Sequence, residues 1–426
     1  MGNVVVRAGS MVIVAMLTLT TRGLPGPTYA ATLALVTVAQ LLATLDFGVG
    51  AVAVSLTASG GTPGDVVDYL WPLRQRALQR TIAMLAIVGV VEFAVFADSG
   101  ASALRTNTRL FGLIAIQLIC IGTSIALSPF ERAAFGAGRG IVLARSSAIG
   151  LVAGSLILGA NLLMPTGMRP IGAVTGACAW IATQRLVCWR LVRRPISEGS
   201  GVSPRAPVGI EISDRVRQFW ILQLLSMLSF GIDQLVVAAL RNDGESASFA
   251  AHSRYFQVGT AIVSVVVMSV WPPLASLAGR GRVTEARRTY TVTSYATVIA
   301  SVLFCAPLLL GLFPISIFRA GEHLDWALAI PMSVWFVLLQ WGQLLGQVQA
   351  ALGDLRFQVR VGAAMAATNL ATSVVLCAAI GPAGVVWGSV VSYPLIVLIP
   401  VFRRLRRSAV WAGASSLLPR IPEVTA

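Results

Sequence analysis

Apolar runs of membrane-spanning length recur along the whole chain, separated by short segments rich in Arg, Gly and Pro. A hydrocarbon core of roughly 30 Å is crossed by about twenty residues of helix, and on that measure the pattern predicts about twelve spans. The first six fall at 4–21, 28–58, 80–97, 110–128, 141–164 and 171–192. The second six fall at 216–240, 248–277, 290–313, 326–352, 359–380 and 383–402. The most informative stretch is RGLPGPTYAATLALVTVAQLLATLDFGVGA, from Arg22 to Ala51, where a Gly/Pro turn feeds an apolar run that carries one acid, Asp46.

Arginine placement orients the spans, because positively charged loops stay on the cytoplasmic side. Every second loop is basic: Arg74, Arg76 and Arg80; Arg132 and Arg139; Arg190, Arg193, Arg194, Arg205 and Arg215; Arg280, Arg282, Arg287 and Arg288; Arg356 and Arg360. The intervening loops hold few arginines and most of the acids, among them Asp98, Asp243, Glu245, Glu322 and Asp325. Both termini are therefore expected in the cytoplasm. Arg7 followed by an apolar run imitates a cleavable signal peptide. The compact turn at Pro25 and Pro27 and the alternation of basic loops favour retention of the first span.

Composition agrees with the pattern. With 56% hydrophobic and 12% charged residues, the chain is a polytopic membrane protein and not a soluble globular enzyme. Its net charge of +15 is carried wholly by arginine, since no lysine occurs. In this setting the charge sets topology and meets anionic lipid head groups, so no nucleic acid is expected as a partner. The five cysteines lie inside apolar spans as small hydrophobes, and His252 and His323 have no partners at ligand spacing. No metal site, nucleophile motif or phosphate-cradling loop is present, and no cofactor is expected beyond coupling to a proton or sodium gradient.

Between the sixth and seventh spans, RRPISEGSGVSPRAPVGIEISDR reads as a cytoplasmic linker at 193–215. It separates an N-terminal lobe, 1–192, from a C-terminal lobe, 216–402, with a basic tail at 403–426. The fold class is thus an all-α polytopic membrane protein of two six-helix lobes, related by an axis along the membrane normal.

Polar residues inside spans are costly, about 2.5 to 3.5 kcal/mol for a charge at the centre of a helix, and mark candidate sites. Glu92 stands alone among Val91, Phe93 and Val95 as a candidate for proton exchange. Asp233 and Arg254 fall in the outer third of the seventh and eighth spans, where they pair structurally or line a cavity. Asp46 either lines the path or braces the inner end of its span beside Gly48 and Gly50. Gln340, Gln343 and Gln347 share one helical face with Trp341 nearby, a stripe suited to sugar contacts or to interhelical hydrogen bonds. Arg7, Arg254 and Arg360 are the candidate phosphate contacts, with snorkelling to the interface as the alternative for Arg7 and Arg360.

RGLPGPTYAATLALVTVAQLLATLDFGVGAV resembles the first hairpin of the polysaccharide exporters in the multidrug/oligosaccharidyl-lipid/polysaccharide flippase superfamily. FGIDQLVVAAL, SASFAAHSRYFQVGT and VWPPLASLAGRGRVTEARRTY are similar to that family's seventh and eighth spans. ALGDLRFQVRVGAAMAATNLATSVVLCAAIGPAGVVWGSVVS, with Asn369 and a Gly-x-x-Gly turn, resembles its last two. The turn Leu24-Pro25-Gly26-Pro27 departs from the family's Leu-Gly-Pro order.

The resemblance implies two six-helix lobes in a V, alternating access, and flipping of a lipid-linked oligosaccharide to the outer leaflet of a bacterial plasma membrane. Polysaccharide assembly proteins are then expected partners, beside the lipid bilayer. Two alternatives stand: a cation-coupled multidrug antiporter of the same superfamily, or a membrane polysaccharide polymerase or glycosyltransferase. The short outer loops count against the enzymes.

Overall fold

Every regular element in the computed structural model is a helix, among the described residues. These are 13, 16–25, 28–29, 32, 36, 49–58, 66, 70, 75, 79, 107–137, 139–165, 168–193, 209–230, 233–270, 273–274, 277, 282–352 and 354–407. The helices are α1 (Val49–Ala58), α2 (Asn107–Gly136), α3 (Gly140–Leu162), α4 (Arg169–Arg193), α5 (Gly209–Phe230) and α6 (Asp233–Leu240). They continue with α7 (Asp243–Ser269), α8 (Val283–Leu309), α9 (Trp326–Ala351), α10 (Leu355–Ile380), α11 (Pro382–Tyr393) and α12 (Ile399–Arg407). A π-helical turn, Pro394–Leu398, joins the last two.

Seven helices among the described residues are long and apolar enough to cross a membrane. A helix satisfies its own backbone polar groups, which hydrocarbon cannot do, so apolar sequence of this length adopts it. The apolar side chains that remain exposed lie along such helices, as Ile149, Val152 and Leu156 do on α3 and Tyr295, Ile299 and Leu303 on α8. In water such surface would be a liability; in lipid it is the matching face. Pro129, Pro307 and Pro331 sit inside α2, α8 and α9, as spans tolerate where neighbouring groups satisfy the freed carbonyls.

The span limits shift at several ends. α2 runs through Pro129 to Gly136, well past the expected end at Ser128. The stretch read as one seventh span is covered by two elements, α5 and α6, and α5 begins at Gly209, before Val216. The sequence pattern undercounts such ends because polar residues at the inner interface still propagate a helix.

Buried apolar side chains form two clusters. One gathers Ile13, Leu17, α1 and α2–α4, with Phe219, Trp220 and Leu224 of α5 packed on it. The other gathers α6–α12. α3 and α4 meet closely through small residues, and a Cβ added at Gly150 would lie 2.8 Å from the Trp180 carbonyl oxygen of α4. Between α10 and α11 the chain turns at Gly381, whose φ of 85° is open to glycine at no steric cost.

The two clusters are not sealed from one another. Leu235 of α6 packs on the first, while its neighbours Val236 and Val237 belong to the second. Leu24 and Tyr29, from the N-terminal part of the chain, are buried in the second cluster.

Candidate transport site

α6 runs along this seam. Asp233 stands in its first turn, where a carboxylate complements the positive end of the helix dipole. Its Oδ1 is buried and has no hydrogen-bond partner. The adjacent Gln234 is buried too, with an unpartnered Nε2.

Arg254, on α7, is 2% exposed. One Nη donates to Gln257 Oε1 at 3.0 Å, one turn along the same helix, and the other has no partner. Of the two readings left open for Asp233 and Arg254, the ion pair does not form. Arg254 is oriented by Gln257 and lies within electrostatic reach of Tyr29, and Asp233 has no ion pair among the described residues.

Polar bridges join α10 to α5 and α11, and α9 to α7. Asn369 of α10 donates to the Ser229 carbonyl on α5 at 2.7 Å and accepts from Ser389 on α11 at 2.8 Å. All three are buried, so each bond replaces one that lipid could not supply. Gln340 of α9 donates to Thr260 of α7 at 3.2 Å, an interhelical bond. Gln343, Gln347 and Trp341 are half-buried beyond it.

Arg360 is exposed on α10, which fits a snorkelling side chain. Asp46, Glu92 and Arg7 lie outside the described residues. No group of three His, Cys, Asp or Glu side chains suited to a metal ion occurs among the described residues. No disulfide joins any of the five cysteines.

One polar cluster went unnoticed in the sequence. Glu131 on α2 accepts from Arg185 Nε of α4 at 3.0 Å and from Gln184 Nε2 at 3.0 Å, and Arg185 also donates to the Ser124 carbonyl at 2.7 Å. The signal was present: an arginine inside the sixth span demands a partner. The expected end of the fourth span at Ser128 placed Glu131 in a loop and hid it.

No family profile matches the sequence, and no curated protein matches it. Solved structures do. A MATE in its bent conformation aligns with a TM-score of 0.71 at 14% identity, covering 98% of this chain and 95% of that one. An inward-facing multidrug resistance MATE family transporter of the MOP superfamily aligns at 0.67 and 13% identity, covering 95% and 96%. A MOP superfamily transporter from Pyrococcus furiosus, described by the reverse polarity of its binding pocket, aligns at 0.68 and 14%, covering 95% and 96%.

These matches correct the functional expectation. The structures aligned over nearly the whole chain are multidrug and MOP superfamily transporters, so lipid-linked oligosaccharide flipping, polysaccharide biosynthesis and polysaccharide assembly partners fall away. The small and apolar residues that carried the resemblance suit close helix packing, which does not depend on what is carried. The chain has the all-α, two-lobed, multi-pass membrane fold seen in these MATE structures.

Proposed function

We propose that the chain is a secondary antiporter that exports small organic cations in exchange for protons or sodium ions. The observation that carries this reading is the Asp233 carboxyl, whose buried Oδ1 has no partner at the seam between the two apolar cores. An ionised carboxylate withdrawn from water costs several kcal/mol unless a positive charge accompanies it. A proton, a sodium ion or a cationic substrate each supplies that charge, and they exclude one another. Exchange follows from competition for one site that is presented alternately to the two sides.

In this reading the lobes at 1–192 and 216–402 move against each other, and the polar bridges of Asn369 and Gln340 keep the second lobe rigid while they do. Gln343, Gln347 and Trp341 line the path, and Asp46 and Glu92 are its carboxylates in the N-terminal half.

The test is exchange in proteoliposomes, with a quaternary-ammonium dye inside and an imposed proton or sodium gradient. Gradient-driven efflux is expected from the parent chain. Asp233→Asn removes the charge at constant shape and is expected to reduce efflux to the level of protein-free liposomes. Efflux from Asp233→Asn at the parent rate sinks the assignment of the site; no efflux from the parent with any cationic dye sinks the antiporter.

A further inference from the structure

His252 is fully buried on α7, and nothing in the exchange cycle above uses it. Its partners fix its tautomer. The backbone N–H of Asp325 is 3.1 Å from Nε2 and can only donate, so Nε2 is the acceptor. The Ser248 carbonyl is 2.9 Å from Nδ1 and can only accept, so Nδ1 carries the hydrogen. Neutral imidazole in this one form satisfies both. Asp325 in turn caps α9, its carboxylate accepting from the Ala327 N–H at 2.9 Å. The ring therefore ties the cap of α9 to α7.

The segment that leads to this cap touches the N-terminal part of the chain. The Ala320 N–H donates to the Arg22 carbonyl at 3.3 Å, and Leu24 and Tyr29 are buried in the C-terminal core beside it. Arg319 is ion-paired with Glu322, and both lie within electrostatic reach of Tyr29. By the distribution of arginines, this contact is on the outer side of the membrane.

We infer that His252 is a proton-operated latch on the outer contact between the two halves: a proton taken up at Nε2 from outside releases the 320–325 segment from the N-terminal half. The step is a proton gain at the Nε2 lone pair. The Asp325 N–H then faces a second N–H, and its hydrogen bond is lost. The imidazolium draws on the two carboxylates nearest it, Glu322 and Asp325, which are the partners of Arg319 and of the α9 cap.

Arg254 is the nearest cation on α7 itself and is turned to Gln257 and Tyr29. Of the other helices packed on α7, α6 carries Asp233, α8 carries Glu285, Arg287, Arg288, Tyr290, Tyr295 and Cys305, and α11 carries Tyr393. The charges that reach the ring are those of Glu322 and Asp325. The inference takes from the antiporter reading only that the halves part during the cycle, and its readout needs no substrate, so the two fail separately.

The experiment uses the full chain in sealed right-side-out vesicles. Leu24→Cys reports opening to a membrane-impermeant maleimide, with the chain lacking this substitution as background. Labelling is expected to be about tenfold faster at about pH 5.5 than at about pH 8. His252→Gln, which offers an acceptor oxygen but does not titrate, is expected to label slowly at both. Ala320→Pro, which deletes the donor to Arg22, is expected to label fast at both. Isotope-labelled histidine in the His323→Gln chain reads His252 alone by NMR, since only two histidines are present. Its titration midpoint is expected to coincide with the labelling midpoint. A pH step that persists in His252→Gln, slow labelling of Ala320→Pro, or an NMR midpoint apart from the labelling midpoint overturns the latch.

Discussion

The Glu131–Arg185 pair gives the sharpest test of the packing, because breaking it leaves a charge in a place that water reaches poorly. The two side chains are 19% and 9% exposed, and Arg185 keeps the Ser124 carbonyl when the carboxylate is removed. Loss of one partner from a buried pair costs about 3 to 5 kcal/mol, and the residual contact places Glu131→Gln near the lower end, at about 3 kcal/mol. If the N-terminal half melts as one unit, that is a fall of roughly 6 to 12 °C in Tm.

The assay is a thermal ramp with a dye that fluoresces on reaction with thiols. Cys178 and Cys188, on the same helix as Arg185, are 2% and 0% exposed and react only when α4 loses its packing. Removing both charges, as Glu131→Leu with Arg185→Met, is expected to restore stability to within about 1 kcal/mol of the parent, since no unpaired charge remains. Arg282→Gln, which breaks the pair with Glu285 at half-exposed positions, supplies the control at under about 1 kcal/mol. Glu131→Gln melting no earlier than Arg282→Gln, or the double variant melting as low as the single, would refute a buried charge pair at Glu131 and Arg185.

Asn369→Leu is expected to cost about 2 to 3 kcal/mol in the same ramp, because it strands the buried Ser389 hydroxyl and the Ser229 carbonyl together. Gly384→Ala is expected to prevent α10 and α11 from seating. Its Cβ would fall at the Leu376 carbonyl, which is backbone and cannot move aside, so monodisperse protein in size exclusion is the result that refutes it. Gly112→Ala, with nothing near its Cβ, is expected to leave the elution profile and Tm unchanged. Asp354→Asn removes the charge and one of the two acceptor oxygens that face the exposed Arg404, and is expected to cost under about 1 kcal/mol by thermal melting.

Much of the fold was legible in the chain. Apolar run length and arginine alternation record the membrane directly, because each residue meets lipid or water according to its own transfer free energy. That is why the ends of α9 and α10 fall close to their expected limits. The site was less legible. Asp233 and Arg254 were visible as polar residues inside spans, but the sequence left open whether they pair, since a side chain's partner depends on rotation and level of its helix against its neighbours. Glu131 and Arg185 are distant in sequence and meet only when α2 and α4 pack.

Substrate class was the least legible property. The Arg22–Ala51 stretch, Asn369 and the Gly-x-x-Gly turn pointed to polysaccharide export, and the whole-chain likeness to multidrug transporters corrected it. Gly, Ala and small polar residues satisfy the same close helix approaches whatever is carried, so they record the scaffold.

The sequence by itself determined that this chain lives in a membrane and roughly where its helices lie. Those properties follow from local hydrophobicity and charge. Only the tertiary structure decided that Asp233 stands at the seam with a buried oxygen left unpartnered, that Asn369 ties three helices together, and that His252 reads the backbone of Asp325. Each of these joins residues on different helices, and no local pattern encodes which faces meet.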